Sequence, residues 1–279
     1  LELTLNYRQT YRNKMYVDAT FTTTFLRNKI LDLKGVSPVI HASLPIVQME
    51  GHPVGAYYGY RMAGVYQFDD FTWQNDSDPS VPLQDRVYKL KEGRPVPSEG
   101  SPRPGDLKFA DLSGPDGKPD GKIDLDYDRT IIGDPFPDVS MSLNLNWGWK
   151  GIDFNMFWQT VLGRDMYNQG PMVVPFYNDN GNVWKDMVDK RWTADNPTNR
   201  HPRMNYDSKT ANTRSSYYIY DASFLRLKNI ELGYTLPVRW TAKLHMSKVR
   251  IYAGIQNAWT LTNFPGWDPE RPSTNIASE

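Results

Sequence analysis

The stretch Asp138–Leu162, DVSMSLNLNWGWKGIDFNMFWQTVL, constrains the fold more than any other part of the chain. Val139, Met141, Leu143, Leu145 and Trp147 alternate with Ser140, Ser142, Asn144, Asn146 and Gly148. After a very short turn at Trp149-Lys150-Gly151, Ile152, Phe154, Met156, Trp158 and Leu162 oppose Asp153, Asn155 and Gln159. Successive side chains of a strand point to opposite faces, so the pattern predicts an antiparallel hairpin with one apolar and one polar face. The apolar face requires a partner. In a soluble sandwich that partner is a second sheet; in an outer-membrane barrel it is lipid, and the polar face lines an aqueous lumen.

The same alternation recurs along the chain. Leu1, Leu3, Leu5 and Tyr7 oppose Glu2, Thr4, Asn6 and Arg8, and Met15, Val17, Ala19 and Phe21 oppose Tyr16, Asp18, Thr20 and Thr22. Six strands are expected, at 1–10, 15–27, 138–148, 152–163, 222–236 and 248–260. Between and after them lie long segments, 28–137, 164–221 and 261–279, in which proline, glycine, asparagine and charge break every periodicity. Unstructured loops of that length are a poor expectation for a compact domain, so ordered excursions are predicted. Short turns on one side and long excursions on the other is the layout of bacterial outer-membrane barrels. The fold class expected is therefore all-β, an antiparallel transmembrane barrel with long extracellular loops. Six strands do not close a barrel with a lumen, and an open sheet leaves unpaired edges in lipid. Further strands are expected before Leu1 and one more after the sixth. The chain opens directly on a strand pattern, without an initiator Met or a secretory leader, and reads as an internal segment of a longer polypeptide.

Composition narrows the function classes. Lys+Arg and Asp+Glu are equal at 32 each, which gives no basic field for nucleic acid. The chain has no cysteine, hence no disulfide framework and no thiolate metal site. No apolar run approaches the roughly 18 residues of a membrane helix. The mean hydropathy of −0.63 is compatible with a membrane barrel, because only alternate residues of such a barrel meet lipid.

One local motif has the makings of a ligand site. In the acidic loop 111–128, Asp116, Asp120 and Asp124 fall at the first, fifth and ninth places of a calcium-loop pattern, with Gly121 at the sixth and Ile123 at the eighth. Ca²⁺ takes several carboxylate and carbonyl oxygens around such a turn. Asp116, Asp120, Asp124 and Asp128 are the candidate ligands. Against this stand Lys118 at the third place and Tyr127 at the twelfth. The competing reading is a cluster of Asx and glycine turns that shapes the loop. The histidines His41, His52, His201 and His245 have no zinc-pair spacing, and no nucleophile elbow or P-loop is present, so nothing argues for an enzyme or for a required cofactor. The loop aromatics Tyr57, Tyr58, Trp73, Tyr177 and Trp184 are candidates for stacking on sugar rings or holding a partner protein; packing of the loops against one another is the alternative.

Four ordered motifs carry a family resemblance: GHPVGAYYGYRMAGVYQ (51–67), GDLKFADLSGPDGKPDGKIDLDYDRTIIGDPFPD (105–138), FLRLKNIELGYTLP (224–237) and VRIYAGIQNAWTLTNFPGWDPE (249–270). Together they resemble the C-terminal part of SusC/RagA-type TonB-dependent outer-membrane transporters, typical of Bacteroidota. The resemblance implies a single-chain barrel of roughly 22 strands plugged by an N-terminal domain. It also implies a SusD-like lipoprotein lid, energy from TonB, location in the bacterial outer membrane, and an oligosaccharide or peptide as cargo. The plug, the TonB box and the family's final strand are expected outside this chain. The rival reading is a soluble β-sandwich carbohydrate-binding module; a glycan-degrading enzyme would need paired carboxylates in a cleft.

Overall fold

The computed structural model describes residues 1–41, 44–74, 78–168, 170, 183–205, 210, 211 and 213–271, which form two compact units. The first unit, Leu1–Lys29, Asp134–Met166 and Asp221–Arg271, is built on six strands. These are β1 (Glu2–Thr10), β2 (Tyr16–Phe25), β3 (Val139–Trp149), β4 (Ile152–Leu162), β5 (Phe224–Thr235) and β6 (Arg250–Thr262). They pair in chain order as one antiparallel meander, with β1 and β6 at its edges.

The connections follow from local chemistry. Trp149 pairs with Ile152 across Lys150 and Gly151, which have φ of 49° and 87°. Positive φ at both central residues is what a type I′ hairpin requires. A Cβ at Gly151 would lie 2.8 Å from the Thr235 carbonyl oxygen, so a side chain is excluded there on two counts. β1 turns into β2 over Tyr11–Met15, with Lys14 at positive φ. The longer link from β5 to β6 contains one helical turn, Val238–Thr241, after Pro237. The two long excursions leave the strands at the ends opposite the β1–β2 and β3–β4 turns.

Registry converts the alternation into two chemical faces. On one, Leu5, Phe21, Leu143, Trp158, Leu227 and Trp259 are successive cross-strand partners, and so are Tyr7, Ala19, Leu145, Met156, Ile230 and Ile255. Within this unit no second sheet covers that face among the described residues. Leu5 remains 56% exposed, Ile255 60% and Trp259 47%. The soluble-sandwich expectation of apolar faces meeting across a dry core therefore does not describe this sheet.

β5 departs from strict alternation. Lys228 is an extra residue opposite the Phe157–Trp158 step of β4, and β6 compensates with Asn257, at φ 49°, and Ala258. The bulge switches the apolar positions of β5 from odd to even numbers, so Leu225 and Leu227 lie on the same face as Ile230 and Leu232.

The second unit consists of Ile30–Gly133 and Tyr167–Tyr220 among the described segments. Small sheets frame it: Ala56–Tyr60 pairs with Arg129–Gly133 and with Ile46–Gln48, and Leu107–Phe109 pairs with Met62–Val65. Its core gathers Tyr60, Val65, Leu107, Phe109, Ile123, Tyr167, Trp192, Tyr217 and Tyr218. The excursions thus have a hydrophobic core of their own, dominated by aromatic rings.

Candidate functional site: the polar sheet face and the acidic and aromatic loops

The polar face of the sheet carries several groups of cross-strand hydrogen bonds and ion pairs. Asn155 Nδ2 donates to Asn144 Oδ1 (3.0 Å) and Asn146 Oδ1 (2.7 Å), and Asn229 Nδ2 donates to Asn155 Oδ1 at 2.8 Å. Thr20 donates to Asn6 (2.9 Å), and Arg8 pairs with Asp18 (2.6 Å). Toward the β3–β4 turn, Arg250 bridges Asp153 and Glu231. Its guanidinium lies over Gly233, where a Cβ would come within 2.4 Å of it. Such a surface of amides, hydroxyls and paired charges can exchange hydrogen bonds with water.

At the other end of β5 a second ionic cluster fixes the segment that follows β6. Arg226, only 7% exposed in its side chain, donates through Nε to Thr260 (2.8 Å) and through Nη2 to Asp268 (2.8 Å), and pairs with Glu270. Lys228, released from the ladder by its bulge, reaches Glu270 at 2.6 Å. Asp268 has its carboxyl held below the usual range despite an opposing burial cost, because Arg226 and the Glu270 N–H hydrogen-bond it. Composition alone did not indicate these partners, although both acids lie in the motif that ends at Glu270.

In the acidic loop the carboxylates turn to the backbone. Asp128 is fully buried, and its Oδ1 accepts from Leu112 N (2.6 Å) and Ser113 N (3.3 Å) while Oδ2 accepts from Asp124 N (2.8 Å). Asp124 accepts from the N–H groups of Asp126 and Tyr127, both at 2.9 Å, and Asp120 accepts from Lys122 N at 2.9 Å. Asp116 is exposed at the tip. Asp111, outside the spacing pattern, accepts from Gly121 N at 2.8 Å. Among the described residues no three His, Cys, Asp or Glu side chains gather as metal ligands. The structure does not bring Asp116, Asp120, Asp124 and Asp128 together as one set of ligands. The periodicity that suggested a calcium loop is that of successive Asx turns.

Of the aromatic candidates, the described ones have neighbours within the loop unit. Tyr57 packs on the aromatic core, 6.3 Å from the Tyr167 ring. Tyr58 lies under the Arg129 guanidinium at 5.2 Å, and Trp73 under that of Arg86 at 4.1 Å. Trp184 precedes the helix Lys185–Lys190 and packs by Gly170, while Tyr177 lies outside the described residues. Burial raises the Tyr60 hydroxyl to about 12, which keeps it neutral.

His201, which has no zinc-pair spacing in the sequence, has a specific place. Its Nε2 lies 2.8 Å from Asp186 Oδ2 and its Nδ1 2.7 Å from the Tyr217 hydroxyl. Asp186 also accepts from Arg200 (2.7 Å) and Lys190 (2.5 Å). His201, Lys190 and Arg200 together hold its carboxyl far below the usual range. The spacing from Asp186 to His201 follows no helical or strand period and gave no signal.

No family model matches the chain. A TonB-dependent receptor of Formosa agariphila is 32% identical over 95% of this chain and 25% of its own length. The TonB-dependent receptor SusC of Bacteroides thetaiotaomicron is 27% identical over 60% of this chain and 16% of its own length. Among solved structures, that of the RagAB peptide transporter superposes with a TM-score of 0.66 and 21% identity, over 96% of this chain and 26% of that chain. At that identity the likeness shows the fold. In sequence this chain is homologous to curated TonB-dependent receptors, SusC among them, and it spans about a quarter of the length of those it matches along most of its own.

Proposed function

We propose that the chain is one part of a TonB-powered outer-membrane importer, its sheet a section of wall in a barrel of roughly 22 strands. The apolar face meets lipid, the asparagine and threonine face lines the aqueous path, and the two long excursions lie on the extracellular side. A SusD-like surface lipoprotein is the partner and an oligosaccharide or peptide the cargo. The observation that carries this reading is the apolar band running through all six strands, which no second sheet covers among the described residues of the strand unit. The names of the relatives support it, as receptors and as a peptide transporter rather than enzymes.

The test is purification of the full-length protein from outer membranes. It should need detergent, bring a surface lipoprotein with it, and support uptake of labelled oligosaccharide or peptide that stops when the proton-motive force is collapsed. A full-length protein that behaves as a monomer in plain buffer would overturn the reading.

A further inference from the structure

Within the loop unit a cleft of about 240 Å³ opens beside the aromatic core. Phe68, Tyr88 and Trp192 line it with rings, Leu83, Pro104 and Ala194 complete its apolar lining, and its charged lining is Arg103 and Arg203. The rings form a connected group: Phe68 is 5.3 Å from Trp192 and 6.3 Å from Tyr88, centroid to centroid. Trp192 has its own polar atom satisfied elsewhere, donating Nε1–H to Gln67 Oε1 at 2.9 Å. Both cations are held in place. Arg203 Nε donates to Asp106 Oδ1 (2.7 Å), and the Arg103 guanidinium donates to the carbonyls of Leu83 (3.4 Å) and Arg86 (3.2 Å) while standing 5.6 Å from the Tyr88 ring. Asp106 is 6% exposed and offsets the charge of Arg203, and among the described lining residues the cleft carries two guanidinium groups and no carboxylate, which leaves it with a net positive charge.

We infer that this cleft binds a single acidic sugar residue, a uronate unit of a glycan, with its ring against the aromatic side chains and its carboxylate at the arginines. Size favours one ring, since pockets for drug-sized ligands start at about 300 Å³. Charge favours an anion, and arginine is the side chain suited to carboxylates. The backbone bordering the cleft disfavours a peptide. Peptides docked in extended form use free main-chain groups, whereas here Leu83 O and Arg86 O accept from Arg103, and Gly105 N and O are bonded to Tyr66 O and Arg203 N. The role of such a site in uptake rests on the importer reading; the binding itself does not.

The experiment is titration calorimetry on the detergent-solubilised full-length protein with trigalacturonate, a neutral galactose trisaccharide and a short peptide bearing a free carboxylate. Trigalacturonate should bind and the neutral trisaccharide should not. Arg203→Gln should weaken trigalacturonate at least about tenfold, the scale of a lost charged hydrogen bond. Ala194→Glu places a repelling charge at the exposed rim without touching the core, and should weaken it likewise with an unchanged Tm. Equal binding of the acidic and neutral sugars, preference for the peptide, or affinity unchanged in both variants would each overturn the assignment. Arg203-dependent uronate binding in a protein that fails to take up any sugar supports the cleft and counts only against the importer reading.

Discussion

Asp128 is a buried carboxylate whose partners are three backbone N–H groups, so it organises the loop by giving amides an acceptor where water cannot reach. Asp128→Ala should cost about 2–4 kcal/mol, because it leaves those donors unpaired in the interior. The check is thermal unfolding together with hydrogen exchange at Leu112, Ser113 and Asp124. Calcium added to the wild-type protein should leave both readouts unchanged, since the Asp120, Asp124 and Asp128 carboxylates accept from amides and the four candidates do not converge. Asp186 supplies the pH dependence at this scale. Its folded carboxyl is depressed, so its contribution is fully present above the ordinary aspartate value of about 3.9 and fades as pH falls through the folded value. Asp186→Asn should therefore lose that acid dependence and weaken segment 185–203 at neutral pH by about 1 kcal/mol, a figure kept small because the carboxylate is well exposed to solvent. Protection of the Arg191 and Trp192 amides, corrected for intrinsic exchange, would show it; protection unchanged across pH in both proteins would contradict it.

Among elements, the β2–β3 pair shows how the polar face of the sheet uses glycine. Gly148 lies opposite Tyr16, and a Cβ there would stand 2.2 Å from the tyrosine ring. The ring thus covers the glycine backbone. Gly148→Val should destabilise the sheet by about 1–3 kcal/mol through overpacking, and Tyr16→Ala in the same chain should recover part of the loss. The double-mutant cycle is the measurement, and simple additivity would exclude the contact. The strands were legible in the sequence because two different environments sort side chains by parity, and parity survives in every run from Glu2 to Thr10 and from Val139 to Leu162. The bulge at Lys228 was not, because one inserted residue leaves a pattern still apolar on both sides of it. The loop unit was least legible. Its contacts join residues such as Gln67 and Trp192 across more than a hundred positions, and no period encodes a pair of that separation. The acidic motif illustrates the same limit: spacing located the aspartates, while the direction of each carboxylate depended on amides that spacing does not describe.

For the whole molecule, the decisive question is what solvent each face of the sheet meets, and neighbouring residues of one strand answer it. Leu143 belongs to the apolar row and Asn144 to the polar one, one position apart on β3. If the sheet is a barrel wall, Leu143→Arg near the membrane midplane should cost about 2–4 kcal/mol of folding stability in lipid, whereas Asn144→Arg should be tolerated. A sheet facing water on both sides would accept both. Spin labels give the matching direct observation, helped by the absence of any native cysteine in this chain. A label on Leu145→Cys should be relaxed by oxygen dissolved in the bilayer and shielded from a water-soluble nickel complex, and a label on Asn146→Cys should show the reverse. The contrast should repeat at Ile230 and Asn229 across the β4–β5 pair, because registry places Ile230 beside Met156 and Asn229 beside Phe157. Identical accessibility at neighbouring positions would mean that the apolar band is covered by protein rather than lipid, and the importer reading would fall with it.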